Sequence, residues 1–188
     1  MNGMKTELNI SVVGLGYIGL PTAVLIASKG YNVIGVDVND AHIAKINGGI
    51  VPIVEPDLEG LMKTVVDNGT LKAQKTVEPS DVFMIAVPTP FKGDHEPDLS
   101  YVETAVSSII SVLREGDIVL LESTSPVGTT EQIAEMIFAE RPELRGIVAI
   151  AYCPERVLPG RILYELENND RVIGGIDSFS TEKQLGLF

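Results

Sequence analysis

The segment Gly14-Leu15-Gly16-Tyr17-Ile18-Gly19 constrains this chain more than any other. A G-x-G-x-x-G spacing alone is a weak signal. Here it closes an apolar run, Leu8–Gly14, that reads as a buried strand. It opens Tyr17–Lys29, which reads as a helix stopped by Gly30. In that context each glycine has a separate task. Gly14 permits the tight turn, Gly16 lets the backbone approach a pyrophosphate, and Gly19 lets the helix pack close to the sheet. The free N–H groups and positive dipole end of the helix then face the phosphates. Asp37 stands 18 residues after Gly19, at the end of the next apolar run, where an acid bonds the adenosine ribose hydroxyls. Asn39 and Asp40 follow it, and no Arg occurs before Arg114, so a 2′-phosphate would meet negative charge. NAD is expected over NADP. FAD or a nucleotide substrate on the same fold is the alternative, because FAD proteins share the spacing.

The rest of the chain alternates short apolar runs with amphipathic stretches. Strands are expected at Asn32–Val38, Leu71–Thr76, Val82–Val87, Ile118–Glu122, Val148–Cys153 and Arg171–Ile176. Helices are expected at Asp40–Asn47, Glu55–Asn68, Ser100–Arg114 (with Ser100 as its N-cap) and Thr130–Ala139. Gly49–Val54, Pro88–Leu99 and Pro154–Asn169 read as irregular. Strands apolar along their whole length and separated by helices imply a parallel sheet covered on both faces. The fold class is therefore α/β, a doubly wound, mainly parallel Rossmann sheet, and residues 1–188 form one NAD-binding domain.

A net charge of −12 argues against nucleic acid and against an anionic membrane surface as partners, since both need clustered Lys and Arg. The run Ile10–Ser28 has no charged residue, yet three glycines and Pro21 interrupt it and its N-terminal flank is not basic, so a membrane span is not expected. The single cysteine, Cys153, makes no internal disulfide and no Cys-rich metal site. His42 and His95 lack ligand spacing, so no metal is expected. A reducing cytoplasm is the compartment that such cysteine usage suits.

In a doubly wound sheet the loops at the carboxyl ends of later strands close over the same crevice. Three stand out: Val87-Pro88-Thr89-Pro90, Glu122 to Thr130, and Cys153 to Gly160. Their hydroxyls could line the crevice or simply cap helices.

These loops also carry a resemblance. VVGLGYIGLPTA at Val12–Ala23, VIGVDVN at Val33–Asn39, VEPDL at Val54–Leu58 and IAVPTPFKGDHEPDLSYVE at Ile85–Glu103 match one family. So do LESTSPVGTTE at Leu121–Glu131, AYCPERVLPG at Ala151–Gly160 and NDRVIGG at Asn169–Gly175. The chain resembles the UDP-glucose/GDP-mannose dehydrogenases along nearly its whole length, and GDHEPD leans toward the branch acting on UDP-N-acetylmannosamine. The resemblance implies a four-electron oxidation at sugar C6, from alcohol through aldehyde to carboxylate, with two NAD reduced. It implies that a cysteine captures the aldehyde and that water releases the acid from a thioester. By position, Gly14, Gly16, Tyr17, Ile18, Gly19, Asp37, Val87, Pro88, Thr89, Thr124 and Thr130 would bind NAD. Thr124 and Glu155 would be catalytic, and Arg156 and Val157 would touch the UDP-sugar.

The departures from the family are equally informative. The family's nucleophilic cysteine lies in a glycine-glycine-x-Cys motif that does not occur here, and its catalytic lysine helix is also missing. Cys153 follows an apolar strand and reads as a small buried thiol. Where some relatives carry a Glu, this chain has Pro159, so that role does not transfer. Ser178–Phe188 reads as a last helix cut short, with the central helix and the sugar-nucleotide domain absent. The chain alone is expected to be inactive. Full-length relatives are expected to be homo-oligomers. The alternatives are a non-catalytic NAD-binding module, or the NAD domain of a two-electron hydroxyacid-type dehydrogenase.

Overall fold

The computed structural model describes residues 8–93 and 95–185. The first half alternates strand and helix: β1 (Asn9–Val13), α1 (Gly19–Ser28), β2 (Asn32–Val36), α2 (Asp40–Asn47), α3 (Leu58–Asp67), β3 (Leu71–Gln74) and β4 (Val82–Ile85). A two-residue hairpin follows, β5 (Phe91–Lys92) with β6 (Glu96–Pro97). Then come α4 (Ser100–Ile110), β7 (Ile118–Leu121), α5 (Thr129–Glu140), β8 (Ala149–Tyr152), α6 (Ile162–Asn168), β9 (Gly174–Gly175) and α7 (Ser178–Leu185).

The main sheet has seven strands in the order β3-β2-β1-β4-β7-β8-β9. All neighbours pair in parallel except β8 with β9. Strand order reverses between β1 and β4. The crevice beyond their carboxyl ends is the switch point at which such sheets bind ligands.

The apolar strands are apolar because both faces are covered. Val12, Met84, Leu120 and Ala151 pack in one core layer with Leu20, Val24, Leu58 and Met62. Their sequence neighbours Val13, Phe83, Ile85, Val119 and Leu121 pack in the opposite layer with Val106, Ile109 and Ile137. Each strand residue thus alternates between two dry layers. The polar residue at the middle of β1, Ser11, is fully buried and shares a hydrogen bond of 2.8 Å with Ser80.

Several expected boundaries are corrected. Pro88–Leu99 is not wholly irregular, because it holds the β5–β6 hairpin, and Pro154–Asn169 contains α6. The helix expected from Glu55 begins at Leu58, because Asp57 adopts a left-handed φ of 62° just after Pro56. Glu55 is thereby released from the helix. Ser100 does not cap α4. The Asp98 carboxylate instead accepts from its N–H and hydroxyl at 2.9 and 2.6 Å. The strand expected over Arg171–Ile176 shrinks to Gly174–Gly175 and runs antiparallel, and Arg171 lies outside it. The apolar stretch Ile10–Ser28 is β1, a turn and the ten-residue α1. Among the described residues no helix is long and apolar enough to cross a membrane. Of the expected last helix and the GDHEPD motif, residues 186–188 and Asp94 lie outside the described residues. So do residues 1–7 of the N-terminal flank.

Candidate dinucleotide crevice

The glycine turn is built by exclusion. Gly14 has φ +95°, and a Cβ there would stand 2.6 Å from the Ala86 carbonyl oxygen. A Cβ on Gly19 would lie 1.9 Å from the Gly14 carbonyl oxygen and 3.1 Å from the Ala86 side chain, so α1 starts hard against β1 and β4. Gly16 is different, since a Cβ there would meet nothing within 4 Å. Its missing side chain is not needed by the fold and leaves a cradle open to the crevice. Among the described residues no side chain caps the N-terminus of α1, and its first turn holds no acid. An uncapped helix end beside an open glycine suits a pyrophosphate.

Asp37 sits one residue past the end of β2 and is half-buried. Its Oδ2 accepts from the Leu15 N–H at 2.9 Å and its Oδ1 from the Asn39 N–H at 2.8 Å. The acid is therefore fixed by the turn it serves, with further lone pairs on the same oxygens. Asn39 caps α2 by accepting from the N–H groups of Ala41 and His42. One cation escapes a linear reading here. β3 brings Lys75 to Asp40 at 2.7 Å, where the two charges pair.

The rim loops are knitted to one another. The Ser123 hydroxyl donates to the Val87 carbonyl at 2.8 Å, and the Thr89 hydroxyl donates to the Thr124 carbonyl at 2.7 Å. Tyr152 contributes its hydroxyl oxygen to the Ser125 N–H at 3.3 Å. These bonds bring Val87, Pro88, Thr89 and Thr124 together at the ends of β4 and β7. Thr124 and Pro88 are exposed and Thr89 is half-buried. Thr130 lies in the first turn of α5, one residue after the helix starts. The Thr129 hydroxyl, at the first residue of α5, donates to the Pro126 carbonyl at 2.8 Å and so closes its own turn without capping the helix.

Beyond β8 the geometry is dominated by charge. Arg171 Nη1 lies 2.5 Å from Glu155 Oε1 and 3.4 Å from Glu122 Oε1, and its guanidinium is largely buried. Glu122 is buried and, among the described residues, its Oε2 has no hydrogen-bond partner. Burial, reinforced by the Glu155 charge, pushes its carboxyl up to about 8 despite Arg171. Burial also raises Glu155, against the pull of Arg171. Two carboxylates thus share one guanidinium, and a proton on Glu122 balances the site at neutral pH. Cys153 is buried beneath them, 3.8 Å from Arg171, with its thiol pushed up by burial. It stays protonated, a poor nucleophile. Arg156 is exposed and its Nη2 donates to the Asp170 carbonyl, while Val157 is half-buried.

Glu122, Arg171 and Glu55 escape the sequence reading. Glu122 is visible only as a charge ending an apolar strand, and nothing in the spacing of residues 122, 155 and 171 shows that they meet. Among the described residues no group of three or more His, Cys, Asp or Glu is placed to hold a metal.

Residues 8–188 match the model of the NAD-binding domain of the UDP-glucose/GDP-mannose dehydrogenase family. The chain is 56% identical over 187 residues to UDP-N-acetyl-D-mannosamine dehydrogenase of Escherichia coli (strain K12), covering 95% of this chain and 44% of that protein. It is 51% identical to NDP-N-acetyl-D-galactosaminuronic acid dehydrogenase of Ralstonia nicotianae, with the same coverage. Among solved structures, UDP-D-ManNAc dehydrogenase of Pyrococcus horikoshii superimposes with a TM-score of 0.92 at 42% identity, covering 96% of this chain and 44% of that one. The chain thus spans less than half the length of the relatives it matches.

Proposed function

The chain belongs to the UDP-glucose/GDP-mannose dehydrogenase family, as its NAD-binding domain, and from that premise we propose that it serves a nucleotide-sugar 6-dehydrogenase oxidising UDP-N-acetylmannosamine to its uronate. The observation that carries this reading is the 56% identity to a UDP-N-acetyl-D-mannosamine dehydrogenase over 95% of this chain. When bound, NAD supplies the hydride acceptor, and two are consumed in turning an alcohol into a carboxylate.

The chain's own residues supply position and charge. Gly16 and the N-terminus of α1 receive the pyrophosphate, flanked by Gly14, Tyr17, Ile18 and Gly19. Asp37, held by Leu15, accepts the adenosine ribose hydroxyls. Val87, Pro88, Thr89 and Thr130 wall the crevice toward the nicotinamide. Thr124 presents its exposed hydroxyl at the end of β7, where it orients the reacting alcohol or a water. Glu155 holds or passes the proton of that water. A carboxyl raised by burial yet anchored by Arg171 suits proton exchange with a hydroxyl. Arg156 and Val157 face the sugar nucleotide from the same loop. Cys153 takes no part.

These 188 residues contain no glycine-glycine-x-Cys, so by themselves they are proposed to bind NAD without turning over sugar. The test is NADH formation from UDP-N-acetylmannosamine. The chain alone is expected to give none, and a protein that also carries the cysteine segment is expected to give two NADH per uronate. NADH from the chain alone would overturn the division of labour. One NADH per product from the longer protein would favour a two-electron dehydrogenase.

A further inference from the structure

Glu55 lies in the segment between α2 and α3 and is 8% exposed. Its Oε1 accepts from the Ile162 N–H at 2.7 Å and its Oε2 from the Gly160 N–H at 3.0 Å, more than a hundred residues away in sequence. The Tyr17 hydroxyl donates to the same Oε2 at 3.4 Å. One buried carboxylate thus gathers donors from the glycine turn and from the loop 154–161. Withdrawing these oxygens from water costs least where such donors replace it. Other bonds also pin the loop: Glu165 accepts from the Leu158 N–H at 2.7 Å, and Asn169 donates to the Arg156 carbonyl at 3.1 Å. Among these, Glu55 alone also reaches the dinucleotide turn.

The Tyr17 bond is the longest of the three, and Tyr17 is 39% exposed. A dinucleotide that immobilises the turn would shorten this bond and hold Glu55 against Gly160 and Ile162.

We propose that Glu55 is a positioning residue that couples the dinucleotide turn, through Tyr17, to the loop carrying Glu155, Arg156 and Val157. The inference rests on the NAD site described above. A carboxylate that merely caps the first turn of α6 would hold Gly160 and Ile162 equally well with and without NAD. A coupling residue holds them better with it, and the coupling is reciprocal.

The test is amide hydrogen exchange at Gly160 and Ile162 in the whole chain, with NAD binding followed by calorimetry on the same sample. In the unsubstituted chain, saturating NAD is expected to slow exchange at both amides by about tenfold. Tyr17→Phe is expected to lose the slowing at saturation. Glu55→Gln, which offers one acceptor where two are needed, is expected to exchange faster at Gly160 without NAD and to lose the slowing too. NAD binding that leaves both amides unchanged overturns the inference alone. So does full slowing retained in either variant. Failure of the chain to bind NAD overturns the cofactor site and this coupling with it, and calorimetry tells the two failures apart.

Discussion

The Asp37 carboxylate accepts a hydrogen bond from the Leu15 N–H at 2.9 Å, so the acid proposed to meet the ribose is also a strut of the glycine turn. Asp37→Asn replaces one acceptor by a donor facing either Leu15 or Asn39. Hydrogen bonds to charged groups contribute ~1.5–3 kcal/mol. NAD affinity is therefore expected to fall roughly tenfold to a hundredfold. Discrimination against NADP should relax with it, because the repelling charge is gone. Calorimetric titration of the variant with both cofactors checks this. Unchanged affinity would remove Asp37 from the site.

Gly16 and Gly19 should fail in different ways. A Cβ on Gly19 collides with the Gly14 carbonyl at 1.9 Å, so Gly19→Ala is expected to lower the melting temperature markedly. Gly16→Ala meets nothing within 4 Å and should melt near the unsubstituted chain, yet bind NAD at least about tenfold more weakly by filling the cradle. Melting curves and titrations on the two variants separate a packing glycine from a ligand-facing one.

Glu122 makes stability fall as pH rises. Its carboxyl is pushed up to about 8 in the fold, from an ordinary value of 4.5 in the unfolded chain. The folded state therefore holds a proton that the unfolded state has lost between those values. The stabilisation is full below about 4.5, drains as pH rises toward about 8, and is gone above it. Glu122→Gln keeps a neutral side chain throughout. It should flatten this slope, matching the unsubstituted chain near the acid end of the window and exceeding it near the alkaline end. Urea denaturation across the window reads this directly, and an unchanged slope would place the proton elsewhere.

Arg171→Met strands two buried carboxylates. Breaking such a pair typically costs about 3–5 kcal/mol. The loss should be larger at the alkaline end of the same window, where Glu122 is charged, than at the acid end, where it is neutral. Denaturation of the variant at both ends tests that difference. Equal losses would mean that Arg171 contributes packing and not charge.

The fold was legible where local rules suffice. A glycine turn between an apolar run and an amphipathic one, with Asp37 downstream, specifies strand, turn and helix without help from the rest of the chain. Strands covered on both faces announce themselves by unbroken apolar runs, as at Val82–Ile85 and Ile118–Leu121. Where one backbone angle decides, the reading failed. The left-handed Asp57 cut α3 short and freed Glu55. Short edge elements such as β9 and α6 carry too few residues to show a period. At the site, the motif loops were legible as loops, but the Glu122–Arg171–Glu155 cluster was not. Residues 122, 155 and 171 meet only because β7, β8 and the segment before β9 end at the same edge of the crevice.

The central claim is that the crevice at the β1–β4 switch point takes NAD and that Asp37 selects it. Calorimetric titration of this chain with NAD and with NADP tests it most directly. Saturable NAD binding is expected, with NADP at least about tenfold weaker. A folded sample that binds neither cofactor, or both equally, would contradict it.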